Sequence, residues 1–298
     1  MDSAIDLREV TRAFGRIVAV DHLTLSVERG EVVGFIGPNG AGKTTTIRMI
    51  LDYVRPTSGT IRVLGLDARA DAVEVHRRLG HLPGELTVPD RMTAERLIRW
   101  FADLRDLEPA AGFALAERLG LDTARPMRDL SAGNRQKVGL VQAFMHRPDV
   151  LLLDEPTKGL DPVMQREFRA MVSEAREAGA TFFVSSHVLH EIDAICDRVA
   201  MIVEGRLHDT LATGQLARRR AIAVTVQGAP DLGAARAIPG VAAVDTTPTA
   251  NGVRVELTVD GDIDAVVKWA AMHTVLDLSA DGVGLDRVFL GRLSEAAA

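Results

Sequence analysis

The sequence predicts an α/β fold built on a buried parallel sheet, with a smaller α+β unit towards the C-terminal end. Three observations carry this. Residues 31–36, 150–153 and 181–185 are short, continuous apolar runs, the pattern of parallel strands covered on both faces. The first run breaks into the glycine-rich stretch Gly37-Pro38-Asn39-Gly40-Ala41-Gly42-Lys43-Thr44-Thr45, after which Thr46, Ile47, Met49, Ile50 and Leu51 suit one helix with an apolar face. Beyond about residue 220 the pattern restarts as strand, helix, two strands, helix and strand.

The glycine-rich stretch fits the phosphate-loop pattern G-x-x-x-x-G-K-[ST]. A strand that turns through such a loop into a helix aims several backbone N–H groups at one point. The positive end of the helix dipole lies at the same point, so it binds anions. Side chains in the loop would block a phosphate, which is why glycine recurs. Lys43 adds a mobile positive charge for the outer phosphates, and the Thr44 hydroxyl is placed to bind Mg²⁺.

Taken in order, residues 5–10 and 23–27 alternate apolar and polar, predicting antiparallel strands with one wet face. Between them, Phe14 is either plain core or a ring that stacks on a nucleotide base. Thr57-Ser58-Gly59 is a turn before a strand at 60–64. His81-Leu82-Pro83-Gly84-Glu85 closes the first part of the core. From about 90 to 120 the pattern is helical, and Leu97, Trp100, Phe101 and Leu104 predict a core stripe. Within 130–136, Ser131 is well placed as a helix N-cap. The run 150–155 ends in Asp154 and Glu155. Ligands of parallel sheets bind beyond the carboxyl ends of the strands, so both acids are expected at the site of the glycine loop. Gly159-Leu160-Asp161-Pro162 turns into another helix. The strand at 181–185 leads to His187, on the same active side; the remaining histidines read as structural or solvated. Residues 199–203 and 206–209 form a hairpin around Glu204-Gly205.

A boundary is expected near 214–220, with Arg218-Arg219-Arg220 as a solvated linker. Strands are then expected at 222–226, 241–246, 253–259 and 275–278, and helices at 231–238, 263–272 and 285–293. Asn251-Gly252 marks a tight hairpin. The order β-α-β-β-α-β is that of a ferredoxin-like unit, and it carries no catalytic constellation. The predicted domains are 4–214, with a helical subdomain at about 86–145, and 221–298.

Composition narrows the function. The formal charge of −6 gives no electrostatic footprint for nucleic acid. The single cysteine, Cys196, excludes an internal disulfide framework and reads as a small buried residue. The acidic start, Met1 to Asp6, lacks a signal core, and no apolar run approaches the ~18 residues of a membrane span. The expected location is cytoplasmic, with any membrane spans supplied by another subunit.

Together and in this order, the motifs over about 4–212 resemble the nucleotide-binding subunit of an ATP-binding cassette (ABC) transporter. Residues 37–45 resemble its Walker A loop and 150–155 its Walker B strand. Residues 130–136 resemble its LSGGQ-type signature, Asp161 its D-loop, His187 its switch histidine and Phe14 its base-stacking aromatic. The wording of 185–189 and 196–199 is similar to the branch that exports drugs, antibiotics, ions or lipids through a separate permease. The resemblance implies a phosphate-loop ATPase core with an antiparallel β subdomain and a helical subdomain. It implies ATP and Mg²⁺ as cofactors, with Thr44 and Asp154 on the metal, and Glu155 activating water while His187 contacts the γ-phosphate. It also implies a transmembrane permease partner at the inner face of the cell membrane and a second ATP-binding subunit, a copy of this chain. Ser131, Ala132, Gly133 and Gln136 of one subunit would then face the nucleotide held by the other. The sequence departs from the family where a glutamine is usual: Gly84 stands there, and Glu85 follows as the candidate replacement at the metal or water. A soluble ABC ATPase acting on ribosomes or DNA is the alternative. Those proteins usually carry two cassettes or a long coiled-coil insertion, and this chain has one cassette and no heptad run.

Overall fold

Three sheets organise the chain in a computed structural model that describes residues 3–186, 195–213 and 219–282. In chain order the first elements are β1 (Ser3–Phe14), β2 (Ile17–Glu28), β3 (Val32–Ile36), α1 (Lys43–Ile50), β4 (Ser58–Val63), β5 (Leu66–Asp67), α2 (Ala72–Arg78) and β6 (Leu79–Leu82). Then come α3 (Ala94–Leu104), α4 (Ala110–Arg118), α5 (Ala132–Phe144), β7 (Val150–Asp154), α6 (Pro162–Glu177), β8 (Thr181–Ser186), β9 (Arg198–Val203) and β10 (Arg206–Ala212). The last described elements are β11 (Arg219–Val226), α7 (Leu232–Arg236), β12 (Val241–Thr249), β13 (Gly252–Asp260), α8 (Asp264–Ala271) and β14 (Val275–Gly282). The chain divides into two compact units, the second beginning at Ala212.

In the first unit, β2-β1-β4-β5 form an antiparallel sheet and β10-β9-β3-β8-β7-β6 a second sheet. The pairs β3/β8, β3/β9, β7/β8 and β6/β7 are parallel. Every residue of β3, β7 and β8 is buried, as the unbroken apolar runs require. Helix α1 lies in the apolar layer between the sheets. Ile47, Met49 and Ile50 share one cluster with Leu7, Leu23 and Leu25 on one side and Phe35, Leu152 and Phe183 on the other. The glycine loop is thereby fixed at its exit by core packing.

The helical segment corrects one expectation. Helix α3 buries Ala94, Leu97, Ile98 and Ala102, whereas Trp100 is 52% and Leu104 68% exposed. The apolar residues of this helix cover more than half its circumference, and the core takes only the arc through 97, 94, 98 and 102. Trp100 and Leu104 fall on the flank.

In the second unit the described elements run β-α-β-β-α-β, and the sheet order is β12-β13-β11-β14, all antiparallel. Ile222, Val224, Val226, Val255, Leu257 and Val259 alternate inward against α7 and α8, where Val266 and Trp269 are buried. Arg219 and Arg220 belong to β11 and not to a linker; their backbone pairs with Asp260 and Val259 of β13. Residue His187 and the expected helix at 285–293 lie outside the described residues.

Candidate functional site

The strand order sets the carboxyl ends of β3, β8, β7 and β6 side by side. Beyond β3 comes the glycine loop, beyond β7 Glu155, and beyond β6 Pro83, Gly84 and Glu85; β8 ends at Ser185 and Ser186. Parallel strands joined by crossovers present their loops at this common edge. The result is a cavity of about 620 Å³, a size that suits a small-molecule ligand. Its walls include Asn39, Gly40, Gly42, Lys43, Thr44 and Thr45, together with Asp154, Glu155, Gly84 and Glu85. Gly37, Pro38 and Ala41 complete the loop without lining the cavity.

Two glycines let the loop sit flush on its neighbours. Gly42, the residue before α1, has φ 108°, and a Cβ there would meet the Ala19 carbonyl at 2.5 Å. A Cβ on Gly37 would meet the Ile202 carbonyl at 2.2 Å. Lys43 opens α1 and folds back over the loop, donating from Nζ to the carbonyls of Gly37 (2.6 Å) and Pro38 (3.2 Å). Burial lowers its pKa; the charges of Glu155 and Asp154 partly offset this.

Asp154 is buried, and both its oxygens accept a hydroxyl hydrogen bond. Thr44 Oγ1 donates to Oδ2 at 2.8 Å, and Ser185 Oγ donates to Oδ1. These bonds tie β7, β8 and α1 together at the cavity floor. Thr44 and Asp154 offer oxygen donors only, which suits a hard cation such as Mg²⁺. Among the described residues there is no cluster of three or more His, Cys, Asp or Glu that could hold a metal alone. Such a set fits an ion that takes its remaining ligands from phosphate and water.

Glu155 has a left-handed backbone, φ 51°. Its N–H donates to the Ser185 carbonyl at 3.0 Å, and this turn takes its side chain off the strand line into the cavity wall. Gln136, buried on α5, donates from Nε2 to the carbonyls of Glu155 and Pro156, both at 3.0 Å. The polar side chain of the 130–136 stretch thus braces the acidic turn of its own chain. Ser131 caps α5 by accepting from the Asn134 N–H at 3.3 Å. Ser131 and Ala132 are exposed, and Gly133 packs against the Gly159 carbonyl. Asp161 caps α6, accepting from Val163 N–H (2.9 Å) and Met164 N–H (3.0 Å).

Phe14, Ser131, Ala132, Gly133, Gln136 and Asp161 do not line the cavity. Phe14 is not core: the residue is 46% exposed at the end of β1, and the Arg12 guanidinium lies 4.3 Å from its ring centroid. Gly84 lies against Asp154, where a Cβ would come 3.2 Å from Oδ2. Glu85 is the next wall residue and is exposed.

The cavity also includes residues that motif reading passes over, among them Tyr53, His81 and Lys158. His81 reads as an ordinary structural histidine in the sequence, yet it sits at the end of β6 with its pKa lowered to about 4, chiefly by burial. Its position one residue before Leu82-Pro83-Gly84 is the signal that locates it. Tyr53 contacts the rings of His76 and His81, at 5.9 and 6.1 Å between centroids.

Comparison with known proteins agrees with this geometry. Residues 20–158 match the family described as ABC transporter. The chain is 36% identical over 223 residues to the bacitracin transport ATP-binding protein BcrA of Bacillus licheniformis, covering 74% of this chain and 73% of that one. It is 34% identical over 212 residues to the probable multidrug ABC transporter ATP-binding protein YbhF of Escherichia coli K12. That match covers 69% of this chain and 36% of YbhF, so the chain spans about a third of that relative's length. Among solved structures, one described as the ATP binding subunit of an ABC transporter superposes with a TM-score of 0.65 at 26% identity, over 72% of this chain and 92% of that one.

Proposed function

Because this chain belongs to the ABC transporter family, as an ATP-binding subunit, we propose that it hydrolyses ATP to drive export of a drug, antibiotic, ion or lipid through a separate transmembrane permease. The observation that carries this reading is the convergence of Lys43, Thr44, Asp154 and Glu155 on one cavity at the N-terminus of α1. Backbone amides of 37–45 cradle the phosphates, and Lys43 leaves the Gly37 and Pro38 carbonyls for the outer phosphate oxygens. Mg²⁺ would be held by the Thr44 hydroxyl and by Asp154, the latter through water, and when bound it neutralises phosphate charge. Glu155 orients the attacking water and takes its proton as the water oxygen bonds to the γ-phosphorus and the bond to ADP breaks. His187 is assigned to the γ-phosphate and Phe14 to the adenine ring. Two copies closing head-to-tail place Ser131, Ala132 and Gly133 on the partner's nucleotide, with Asp161 at the junction. Gln136 supports this set from behind, since its amide already serves the carbonyls of Glu155 and Pro156. We read the second unit as a ferredoxin-like accessory domain.

The permease supplies the membrane spans. No helix among the described residues is long and apolar enough to cross a membrane. On the reading proposed here the chain works at the inner face of the cell membrane. The exposed Trp100 and Leu104 offer apolar surface for that partner. The names of BcrA and YbhF favour a drug or antibiotic as cargo. The test is an ATP turnover assay on the purified chain together with co-purification from membranes. Turnover with a bound multi-span protein is expected; turnover with ribosomes or DNA as the only companion overturns the permease reading.

Glu85 is assigned the place of the glutamine missing at Gly84. It lines the same cavity as Thr44 and Asp154, and its carboxylate can meet the metal or the attacking water. Glu85→Ala is expected to lower turnover about tenfold or more and raise the Mg²⁺ concentration needed for half-maximal rate. A wild-type rate and a wild-type Mg²⁺ requirement would leave Glu85 as surface.

A further inference from the structure

Four consecutive carbonyls, from the end of α2 to the start of β6, each accept from another element. Arg105, the residue that caps α3 at its C-terminus, donates from Nη1 to the His76 carbonyl (3.2 Å) and the Arg77 carbonyl (3.3 Å). Its Nη2 donates to the Leu79 carbonyl at 3.3 Å. The Asp149 N–H donates to the Arg78 carbonyl at 3.0 Å. His146 Nε2 adds a second donor to the Leu79 carbonyl at 2.9 Å, which places the ring proton on Nε2. Arg105 is half-buried, and burial lowers its pKa. A guanidinium withdrawn from water and spent on three main-chain carbonyls is held there by its geometry, since a lysine has no planar fork to serve them together.

The place of this grip matters. Among the described residues β6 is an edge strand, paired with β7 alone, and it is four residues long. Two residues past its end, Gly84 lies against Asp154 at the cavity. The chain then crosses 83–93 and enters α3, whose last turn brings Arg105 back to the start of β6. β6, the crossing segment and α3 therefore form a closed ring with Arg105 as its clasp. In an open ring, the crossing segment would absorb a displacement of Gly84 and Glu85. In a closed one, α3 is tied to this stretch at both of its ends, through 83–93 and through Arg105.

We propose that Arg105 is a positioning residue that makes α3, and the exposed Trp100–Leu104 face it carries, respond to the occupant of the nucleotide cavity. This rests on the ATP-site reading given above. It differs from that reading in locating the link in one side chain outside the cavity, on three carbonyls that no motif marks.

The test uses the full chain with Mg²⁺ and the non-hydrolysable analogue AMP-PNP, reading hydrogen exchange at 79–87 and 94–104, with affinity from calorimetry. In the wild type, the analogue is expected to change exchange in both segments by about fivefold or more, the lower end of usual coupling between sites. Arg105→Gln is expected to keep nucleotide affinity within about twofold, keep the change at 79–87 and lose it at 94–104. A merely structural Arg105 would lower the melting temperature and leave the change at 94–104 in place, and that result overturns the proposal. So does a wild type that binds the analogue with 94–104 unmoved. Should Arg105→Gln not fold, Arg105→Lys keeps the charge without the fork. Loss of at least half the response at 94–104 supports the clasp, and a wild-type response overturns it. A wild type that binds no nucleotide defeats the ATP-site reading itself, and the calorimetry separates that failure from failure of the clasp.

Discussion

Glu155→Gln is expected to reduce ATP turnover by about 10²–10⁴-fold while leaving ATP affinity within about twofold of wild type. The amide has the shape of the carboxylate, so the turn at 155 is kept. The residue's N–H still donates to the Ser185 carbonyl, and its carbonyl still accepts from Gln136. Asp154, Thr44 and Ser185 remain bonded to one another, so the cavity floor does not move. What is lost is the group proposed to take the proton from water. The variant should bind ATP, stall, and accumulate as a closed dimer that size-exclusion chromatography detects with ATP and not with ADP. Hydrolysis near the wild-type rate would remove Glu155 from the role of base.

Lys43→Ala acts one step earlier, on binding. A charge-assisted contact to phosphate contributes about 1.5–3 kcal/mol, so ATP affinity should fall roughly ten- to a hundredfold. The empty protein also changes. Lys43 donates to the Gly37 and Pro38 carbonyls, and alanine leaves both without that donor. The loop then keeps its core packing and its backbone bonds but lacks this brace. Calorimetry with Mg²⁺ checks the affinity, and an unchanged value would detach the loop from nucleotide binding. Lys43→Met, which restores the packing of the stem without the charge, should recover thermal stability but not affinity.

Much of this site is legible in the sequence because its parts are local. The phosphate loop, the strand ending in Asp154-Glu155 and the N-cap at Ser131 are each written within a few residues, and strand order does the rest by bringing β3, β7 and β8 together. What the sequence hides is long-range. Ser185 as the second partner of Asp154, and His81 and Tyr53 in the cavity wall, depend on pairings of strands distant along the chain. Gln136 is a similar case. Its place in a motif suggests a ligand contact, and only the packing of α5 on the acidic turn reveals a brace. Trp100 and Leu104 mislead for the opposite reason: a helix whose apolar face is broader than the core it packs on does not say which arc the core will use. The Arg218–Arg220 run reads as a linker by composition, yet residues 219 and 220 are strand, because backbone pairing with β13 is indifferent to which side chains the strand carries.

If Glu155 is the base proposed above, its left-handed backbone sets heat resistance against turnover. A residue with a side chain held at φ 51° costs about 1 kcal/mol or more relative to one without strain there. Glycine carries no such penalty. Laboratory evolution selecting this chain for survival at high temperature alone, with no demand for ATP use, would therefore tolerate Glu155→Gly, which relieves that backbone penalty and removes the carboxylate proposed as the base. Selection for the proposed ATP turnover would pull the other way and keep the carboxylate on its strained backbone. The position is thus one where sturdier and more active cannot be had together.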